Sequence, residues 1–214
     1  MKQKIPCYCD NTFDVDVPAE INLDSNSEYF DQIQAGTFLN FTCPGCGKKH
    51  KPEFPLSVLW PSKQLRFEVF PELERGDFYR RKDTPSVKDK NALETIIGYP
   101  ELADRLALIR DGFEPAPVEA IKYNLHLKAE DQYPDAELDI WYAGFVNGGN
   151  DSAFLKFHIH GIRKDEVAVI KIPHSVYQKT WDDFRKNPKS ETFSVLRVRT
   201  YLSVKNTMRP EELK

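Results

Sequence analysis

The sequence predicts an α+β protein with a small cysteine-bearing β module, a central helical pair, and a C-terminal antiparallel sheet covered by one helix. Three observations predict this class. The four cysteines of the 214-residue chain form two close pairs, Cys7-Tyr8-Cys9 and Cys43-Pro44-Gly45-Cys46. Between residues 92 and 130 the apolar residues recur with a helical period. Residues 138–143 and 154–161 flank an Asn-Gly-Gly-Asn segment, and this pattern is typical of a β-hairpin.

The N-terminal module is predicted to consist of short strands and one short helix. The predicted elements are a strand at Thr12–Val17, a helix at Glu28–Ile33 that ends before Gly36, a strand at Thr37–Thr42, and a hairpin of Val58–Trp60 with Leu65–Phe70. Each cysteine pair adjoins a predicted strand, as in a zinc ribbon. We therefore expect residues 1–71 to form a zinc-ribbon-like module whose sheet is extended by the hairpin.

The rest of the chain is predicted to contain a linker, two helices and a strand-rich region. The polar residues 72–91 predict a linker or mobile loop. One helix begins near Pro100 and ends at Gly112, and a second follows Pro115 and Pro117 as its antiparallel partner. After the hairpin come a strand at Val167–Ile172, a helix from Pro173 to about Asn187, and a last strand at Phe193–Val204. We expect two domains, residues 1–130 and 131–207.

The two cysteine pairs predict a single tetrahedral metal site. Cys43 and Cys46 lie on a tight turn in which Pro44 fixes one backbone angle and glycine lets backbone N–H groups approach the sulfurs. Cys7 and Cys9 have one residue between them, which is a less usual ligand spacing. Zinc is the metal that this ligand set favours. Four thiolates leave zinc no open position for a substrate, so we expect a structural ion.

Other interpretations of these residues remain open. Cys43 and Cys46 also have the spacing of a redox pair, although the Lys-Lys-His-Lys-Pro segment that follows them is a poor helix former. A structural disulfide is a further alternative. His50 could replace one cysteine as a ligand, but four thiolates already complete the coordination shell, so we expect an exposed loop histidine.

Composition and charge limit the classes of function. No stretch approaches the ~20 apolar residues that cross a bilayer, and the first residues lack the apolar core of a signal peptide. We therefore expect a cytoplasmic protein with no membrane partner, in a compartment where paired thiols bind metal rather than form disulfides. The net charge of −3 disfavours general affinity for nucleic acids. Residues 1–40 nevertheless carry a balance of −5 and residues 47–90 one of +4, a difference we expect to reflect solvated surface.

Several segments together resemble the bacterial and archaeal CpXC family, which is named for paired cysteine motifs and described as functionally uncharacterised. They are the cysteine pairs, Phe70-Pro71-Glu72, Gly98-Tyr99-Pro100-Glu101-Leu102-Ala103-Asp104-Arg105-Leu106 and Ile109-Arg110-Asp111-Gly112-Phe113. The resemblance covers roughly residues 1–130 and implies metal ligation by Cys7, Cys9, Cys43 and Cys46. This chain departs from the family pattern at Cys7-Tyr8-Cys9, where the family has two residues between the thiols.

A candidate anion-binding surface lies in the C-terminal region. In the strand at 154–161, Lys156, His158 and His160 fall on the face opposite Leu155, Phe157 and Ile159. In the last predicted strand, Arg197 and Arg199 share one face. If the two strands are neighbours, His158, His160, Arg197 and Arg199 form a basic patch that suits a phosphate or carboxylate. The alternatives are an ordinary solvated sheet face and, less favoured, a second metal site at the two histidines.

We expect a non-enzymatic protein-binding or adaptor protein that contacts a protein partner through its ribbon or its C-terminal sheet. One alternative is nucleic-acid binding through residues 47–90, where basic residues flank two aromatic ones. These residues are Lys48, Lys49, Lys51, Arg80, Arg81 and Lys82, with Trp60 and Phe67. The second alternative is an enzyme or sensor that binds an anionic small molecule at the His158/His160/Arg197/Arg199 face. It requires those side chains to converge in a concave pocket.

Overall fold

The computed structural model describes residues 1–81, 92–148 and 153–208 of the chain. The fold is α+β, as predicted. Contacts within the chain define two compact units, Met1–Ala103 and Asp104–Lys214, and their boundary falls inside a helix. The predicted domain division at residue 130 stays a prediction. None of the helices in the described ranges is long and apolar enough to cross a membrane.

The first unit contains three short sheets and two short helices. In chain order it holds β1 (Lys2–Pro6), β2 (Thr12–Asp16), β3 (Glu20–Asn22), α1 (Ser27–Gln34), β4 (Phe41–Thr42), β5 (Lys49–His50), β6 (Leu56–Trp60), β7 (Leu65–Phe70), α2 (Arg75–Arg80), β8 (Ala92–Ile97) and the start of α3 (Tyr99–Arg110). β1 pairs with β2, and β4 pairs with β5, as two antiparallel hairpins. In a separate sheet, four strands of this unit are successive neighbours in the order β3-β6-β7-β8: β6 and β7 are antiparallel, whereas β3 is parallel to β6 and β8 is parallel to β7.

A small apolar core supports the two N-terminal hairpins. Ile5, Val15 and Val17 are buried, and four partly buried residues pack against them: Phe13, Leu39, Phe41 and Phe54. In β1 and β2 the buried side chains alternate with exposed ones, which is the pattern of strands with one face on a core. Among the described residues this core has three buried side chains, so apolar burial alone gives the hairpins little stability.

Within the first unit, the predicted strand β2, helix α1 and hairpin β6–β7 are confirmed. The strand predicted at Thr37–Thr42 is wrong for its first four residues, because Leu39 adopts a left-handed backbone conformation at φ 51° that interrupts an extended chain. The hairpin β6–β7 does not extend either cysteine hairpin, because its two strands pair with β3 and β8 instead.

Two further predictions in the first unit need correction. Residues 72–80 are not a linker, since a 3₁₀-helix at Glu72–Glu74 and helix α2 occupy them; residues 82–91 lie outside the described ranges. The helical period predicted from residue 92 is wrong up to Ile97, where the chain forms β8. Thr95, Ile96 and Ile97 are all buried, so this strand has no alternation of apolar and polar residues to reveal it.

The second unit is a three-stranded sheet covered by helices. After the remainder of α3 it holds α4 (Pro115–Gln132), β9 (Asp139–Val146), β10 (Phe154–His160), β11 (Ala168–Pro173), α5 (His174–Lys186), α6 (Glu191–Ser194), β12 (Arg197–Val198), β13 (Tyr201–Leu202) and a 3₁₀-helix (Val204–Met208). The sheet is antiparallel, with β10 between β9 and β11. Leu155, Phe157 and Ile159 point from β10 into a core shared with α3, α4 and α5.

The predicted helices α3, α4 and α5, the hairpin β9–β10 and the strand β11 are confirmed. Part of the predicted hairpin turn, residues 149–152, lies outside the described ranges. The long last strand predicted at Phe193–Val204 is wrong. The chain instead forms α6 and then reverses between β12 and β13, where Arg199 takes a left-handed conformation at φ 57°.

Candidate metal centre

The structure brings all four cysteine sulfurs together. The four Sγ atoms lie within 4.8 Å of one another. Between the two hairpins, Cys7 Sγ is 3.6 Å from Cys46 Sγ, and Cys9 Sγ is 3.7 Å from Cys43 Sγ. Cys7 and Cys43 are buried, whereas Cys9 and Cys46 are exposed. A cluster of this kind could hold a metal ion.

The two cysteine turns have a common design despite their different spacing. In the β1–β2 turn, the Cys7 N–H donates to the carbonyl of Asn11, and the Asp10 N–H donates back to the carbonyl of Cys7. In the β4–β5 turn, the Cys43 N–H likewise donates to the carbonyl of Lys48, and the Gly47 N–H donates back to the carbonyl of Cys43. The residue that follows the second cysteine has a positive φ in both turns, 63° at Asp10 and 73° at Gly47. The Cys-X-Cys turn is therefore a version of the Cys-X-X-Cys turn that is one residue shorter.

Two polar side chains contact the sulfurs from outside the cluster. Asn11 Nδ2 donates to Cys43 Sγ at 3.6 Å, and Nε2 of the half-buried His50 lies 3.2 Å from Cys7 Sγ. His50 lies on β5 with its ring edge-on to Phe13. The expectation of an exposed loop histidine is therefore wrong. His50 is also outside the group of mutually close ligand atoms, which contains only cysteines.

Hydrogen bonds shift the pKa values of two thiols in opposite directions. The backbone N–H of Cys9 lowers the pKa of Cys7, but burial and the contacts with the other three sulfurs outweigh it and raise this pKa to about 12. Burial alone would raise the pKa of Cys43. Donation from the Asn11 side chain and from the backbone N–H groups of Cys46 and Gly45 instead lowers it to about 6. Cys43 therefore favours the thiolate form near neutral pH, whereas Cys7 keeps its proton.

The residues of the candidate anion patch do not share a pair of neighbouring strands. His158 and His160 lie on the exposed face of β10, whose neighbours are β9 and β11. Arg197 and Arg199 instead line a cavity of about 310 Å³ beside Phe184 and Phe193. The strand that carries the histidines is therefore not paired with the segment that carries the arginines, so these four residues do not form one basic patch. The enzyme alternative required such a patch. Anion binding by any of these residues stays a prediction.

The aromatic residues of the 47–90 surface are buried in the first unit. Phe67 is fully buried, and Trp60 is 8% exposed. Neither ring can stack on a nucleic-acid base from this position. Arg80 pairs with Asp77 at 2.6 Å, Arg81 pairs with Glu74 at 3.4 Å, and Lys82 lies outside the described ranges. The stacking component of this nucleic-acid hypothesis is therefore wrong, and phosphate contacts by the basic residues of the segment stay a prediction.

Fold and site together define an α+β protein in which two similar hairpin turns form a four-cysteine cluster. The sequence model of one family, described as "CpXC protein", matches residues 5–122, more than half of the chain and all four cysteines. The chain therefore belongs to the CpXC family. It is similar to an uncharacterized protein of Treponema pallidum (strain Nichols), with 29% identity over 215 residues, 95% of this chain and 97% of that protein. No solved structure matches the chain.

Proposed function

We propose that Cys7, Cys9, Cys43 and Cys46 bind one zinc ion as thiolates and that this ion is structural. The observation that carries the proposal is the spacing of the sulfurs, 3.6 and 3.7 Å across the two hairpins. Two thiolates at 2.3 Å from a tetrahedral zinc ion are about 3.8 Å apart, whereas a disulfide bond is about 2.05 Å long. Thiolates also select zinc over magnesium or calcium.

A bound ion supplies the stability that the local core lacks. β4 and β5 have two residues each, and two-stranded hairpins are marginal in water without further support. A metal that joins both turns links residues 7–9 to residues 43–46, and its binding free energy becomes folding free energy. A reducing cytoplasm, which we propose as the location of the protein, keeps such thiols available for the metal.

Elemental mass spectrometry with thiol titration tests this assignment. We expect one zinc ion per chain and four thiols that react only after denaturation. Cys46→Ser is expected to lower the zinc content, and the neighbouring variant Thr42→Ser serves as a matched control because it also places a small hydroxyl side chain in the same hairpin. A metal-free protein with a reducible bond between Cys43 and Cys46 would contradict the proposal and favour the redox pair.

With its coordination shell full, the ion takes no part in a reaction, and we infer that the protein is a non-enzymatic binding or adaptor protein. The proposed contact surface is the tip of the two cysteine turns. Tyr8, between the first two ligands, is 87% exposed, and Lys48 Nζ lies 4.6 Å from the centre of its ring. An exposed aromatic ring held on a rigid turn is a typical anchor of a protein–protein interface.

Site-specific photo-crosslinking tests the binding surface. A photoreactive phenylalanine analogue at position 8 is expected to form a discrete adduct with a protein partner in cells. The same analogue at Tyr133, which is 40% exposed in the second unit, is the matched control. The adduct is expected to disappear when the Cys43→Ser substitution is added. Equal labelling from both positions, or no protein adduct from position 8, would reject the turn surface as the binding site.

A further inference from the structure

The outward face of the sheet β9–β10–β11 carries an arrangement of lysines that folding does not require. On β10, Leu155, Phe157 and Ile159 are buried on the inner face, and Lys156, His158 and His160 lie on the outer face. On β11, Lys171 is the residue directly opposite Lys156. Like charges directly opposite each other in an antiparallel pair destabilise a sheet. The two ammonium groups therefore cost stability rather than provide it.

Nothing in the described part of the chain neutralises this lysine pair. No ion pair joins Lys156 or Lys171 to a carboxylate among the described residues. Lys171 Nζ lies 4.8 Å from the centre of the Phe154 ring. On the other side of β10, Lys156 faces Gly144, and its side chain lies over this glycine, where an added Cβ would be 3.9 Å from Lys156 Cε. In the strand pairing, neither neighbour of Lys156 is therefore a carboxylate.

Aromatic rings are interleaved with the positive charges on the same face. Trp141 on β9 is half-buried and directly opposite His158. Lys205 Nζ lies 5.2 Å from the centre of the Trp141 ring and 3.3 Å from Asp139 Oδ1. The face thus offers three ammonium groups, two histidines and the rings of Trp141 and Phe154. Asp139 is the single carboxylate that faces them in the strand pairing.

We propose that this outer sheet face binds single-stranded nucleic acid. Lysine ammonium groups contact phosphates, and exposed bases stack on aromatic rings, which is how open sheet surfaces bind single strands without strong sequence preference. The rings favour nucleic acid over an acidic protein, because nucleobases stack on aromatic side chains, whereas acidic side chains have no aromatic ring. Lys156 and Lys171 are the phosphate contacts, and Trp141 and Phe154 are the stacking positions. This inference does not depend on the metal site.

Fluorescence anisotropy with labelled oligo(dT) and oligo(rU), at a series of salt concentrations, tests the proposal. Each lost phosphate contact lowers the slope of log affinity against log salt by about 0.7, so the double variant Lys156→Gln/Lys171→Gln is expected to lower it by about 1.4. Trp141→Leu is expected to weaken binding about 10-fold or more through lost stacking. Lys179→Gln/Lys186→Gln is the matched control, because both lysines are exposed on helix α5 rather than on this sheet face.

Thermal unfolding of the same variants separates a binding role from a structural one. If the lysine pair serves binding, Lys156→Gln/Lys171→Gln keeps or raises the melting temperature while the affinity falls. A clear loss of stability would overturn the proposal, since the pair would then be structural. Three other results would also overturn it: no salt-dependent binding by the unmodified protein, equal binding by the double variant, or equal competition by polyglutamate, which would indicate an acidic protein partner.

Discussion

At the scale of single residues, Asn11 and His50 are two side chains outside the cysteine cluster that contact its sulfurs. Each contacts one buried sulfur: Asn11 contacts Cys43, and His50 contacts Cys7. Such outer contacts orient ligands and stabilise thiolates. Asn11 also packs closely against Gly45. A methyl group added at Gly45 would lie 3.3 Å from the Asn11 Nδ2 atom, which is a tight contact.

Asn11→Ala is expected to weaken zinc binding by about 10- to 100-fold, because Cys43 loses a hydrogen bond that stabilises its thiolate. Competition titration with a chromophoric zinc chelator measures the change. Asn124→Ala, an exposed position in α4, is the matched control and is expected to bind zinc as the unmodified protein does. Equal affinity of Asn11→Ala and the unmodified protein would show that the contact has no effect on the metal.

The pH dependence of zinc affinity follows from the shifted thiols. With a pKa of about 12, Cys7 is protonated at neutral pH and must lose its proton to the solvent when it binds zinc, so affinity falls as the pH falls. Cys43, with a pKa of about 6, is mostly a thiolate above pH 6, so below this pH it adds one more proton that the metal must displace. We expect the slope of log affinity against pH to increase by about one unit below pH 6. Chelator competition across this pH range measures the slope, and a constant slope would contradict the assignment.

The residues of the site divide into those that sequence patterns can predict and those that need the fold. The four cysteines were predicted from residue type and spacing alone. Asn11 and His50 were not, because their contacts depend on the backbone path of one turn and on the pairing of β5 with β4. Lys156 and Lys171 are opposite each other because of the register between β10 and β11. No local sequence pattern determines that register.

At the scale of elements, a buried network of charges joins α3, α4 and β9. Lys122 donates to Asp104 at 2.5 Å and to Glu119 at 2.9 Å. The Asp104 carboxylate also accepts a hydrogen bond from the backbone N–H of Tyr142, and the Glu119 carboxylate accepts one from the backbone N–H of Val204. Burial raises the pKa of Asp104. Burial alone would also raise the pKa of Glu119, but the nearby cations hold it below its ordinary value.

Lys122→Met is expected to lower the free energy of unfolding by about 3–5 kcal/mol, because it leaves two buried carboxylates without their shared partner. Urea unfolding followed by circular dichroism measures the loss. Lys128→Met is the matched control, since Lys128 is exposed on the same helix and its loss is expected to change stability by less than about 0.5 kcal/mol. Similar effects of both substitutions would show that the network adds nothing to stability.

Elements with a strong local pattern were predicted well, and elements defined by tertiary contacts were not. The hairpin β9–β10 alternates clearly, and α5 begins after Pro173 as predicted, although of its apolar residues Tyr177 is buried and Val176 and Trp181 are exposed. In contrast, β8 is buried at three successive positions, which removes the period of a half-buried strand. The break between β12 and β13 depends on one left-handed residue, Arg199, whose conformation is unusual for arginine.

At the scale of the whole molecule, the cysteine cluster and the C-terminal sheet lie in different compact units. Removal of the proposed ion therefore tests which part of the chain depends on it. Cys43→Ser is expected to release zinc and to abolish amide protection in β1–β2 and β4–β5. The hairpin β9–β10, which has its own apolar core, is expected to stay protected. Hydrogen exchange resolved by region measures both responses, and unchanged protection at β1–β2 would contradict a structural role for the metal.

X-ray absorption at the zinc edge of the purified protein tests the central claim most directly. The account predicts one zinc ion with four sulfur ligands at about 2.3 Å. The short Cys7-Tyr8-Cys9 turn must then supply two of the four sulfurs. A shell of three sulfurs and one nitrogen would contradict the account and indicate that His50 replaces a cysteine. A spectrum with no zinc–sulfur distance would reject the metal centre itself.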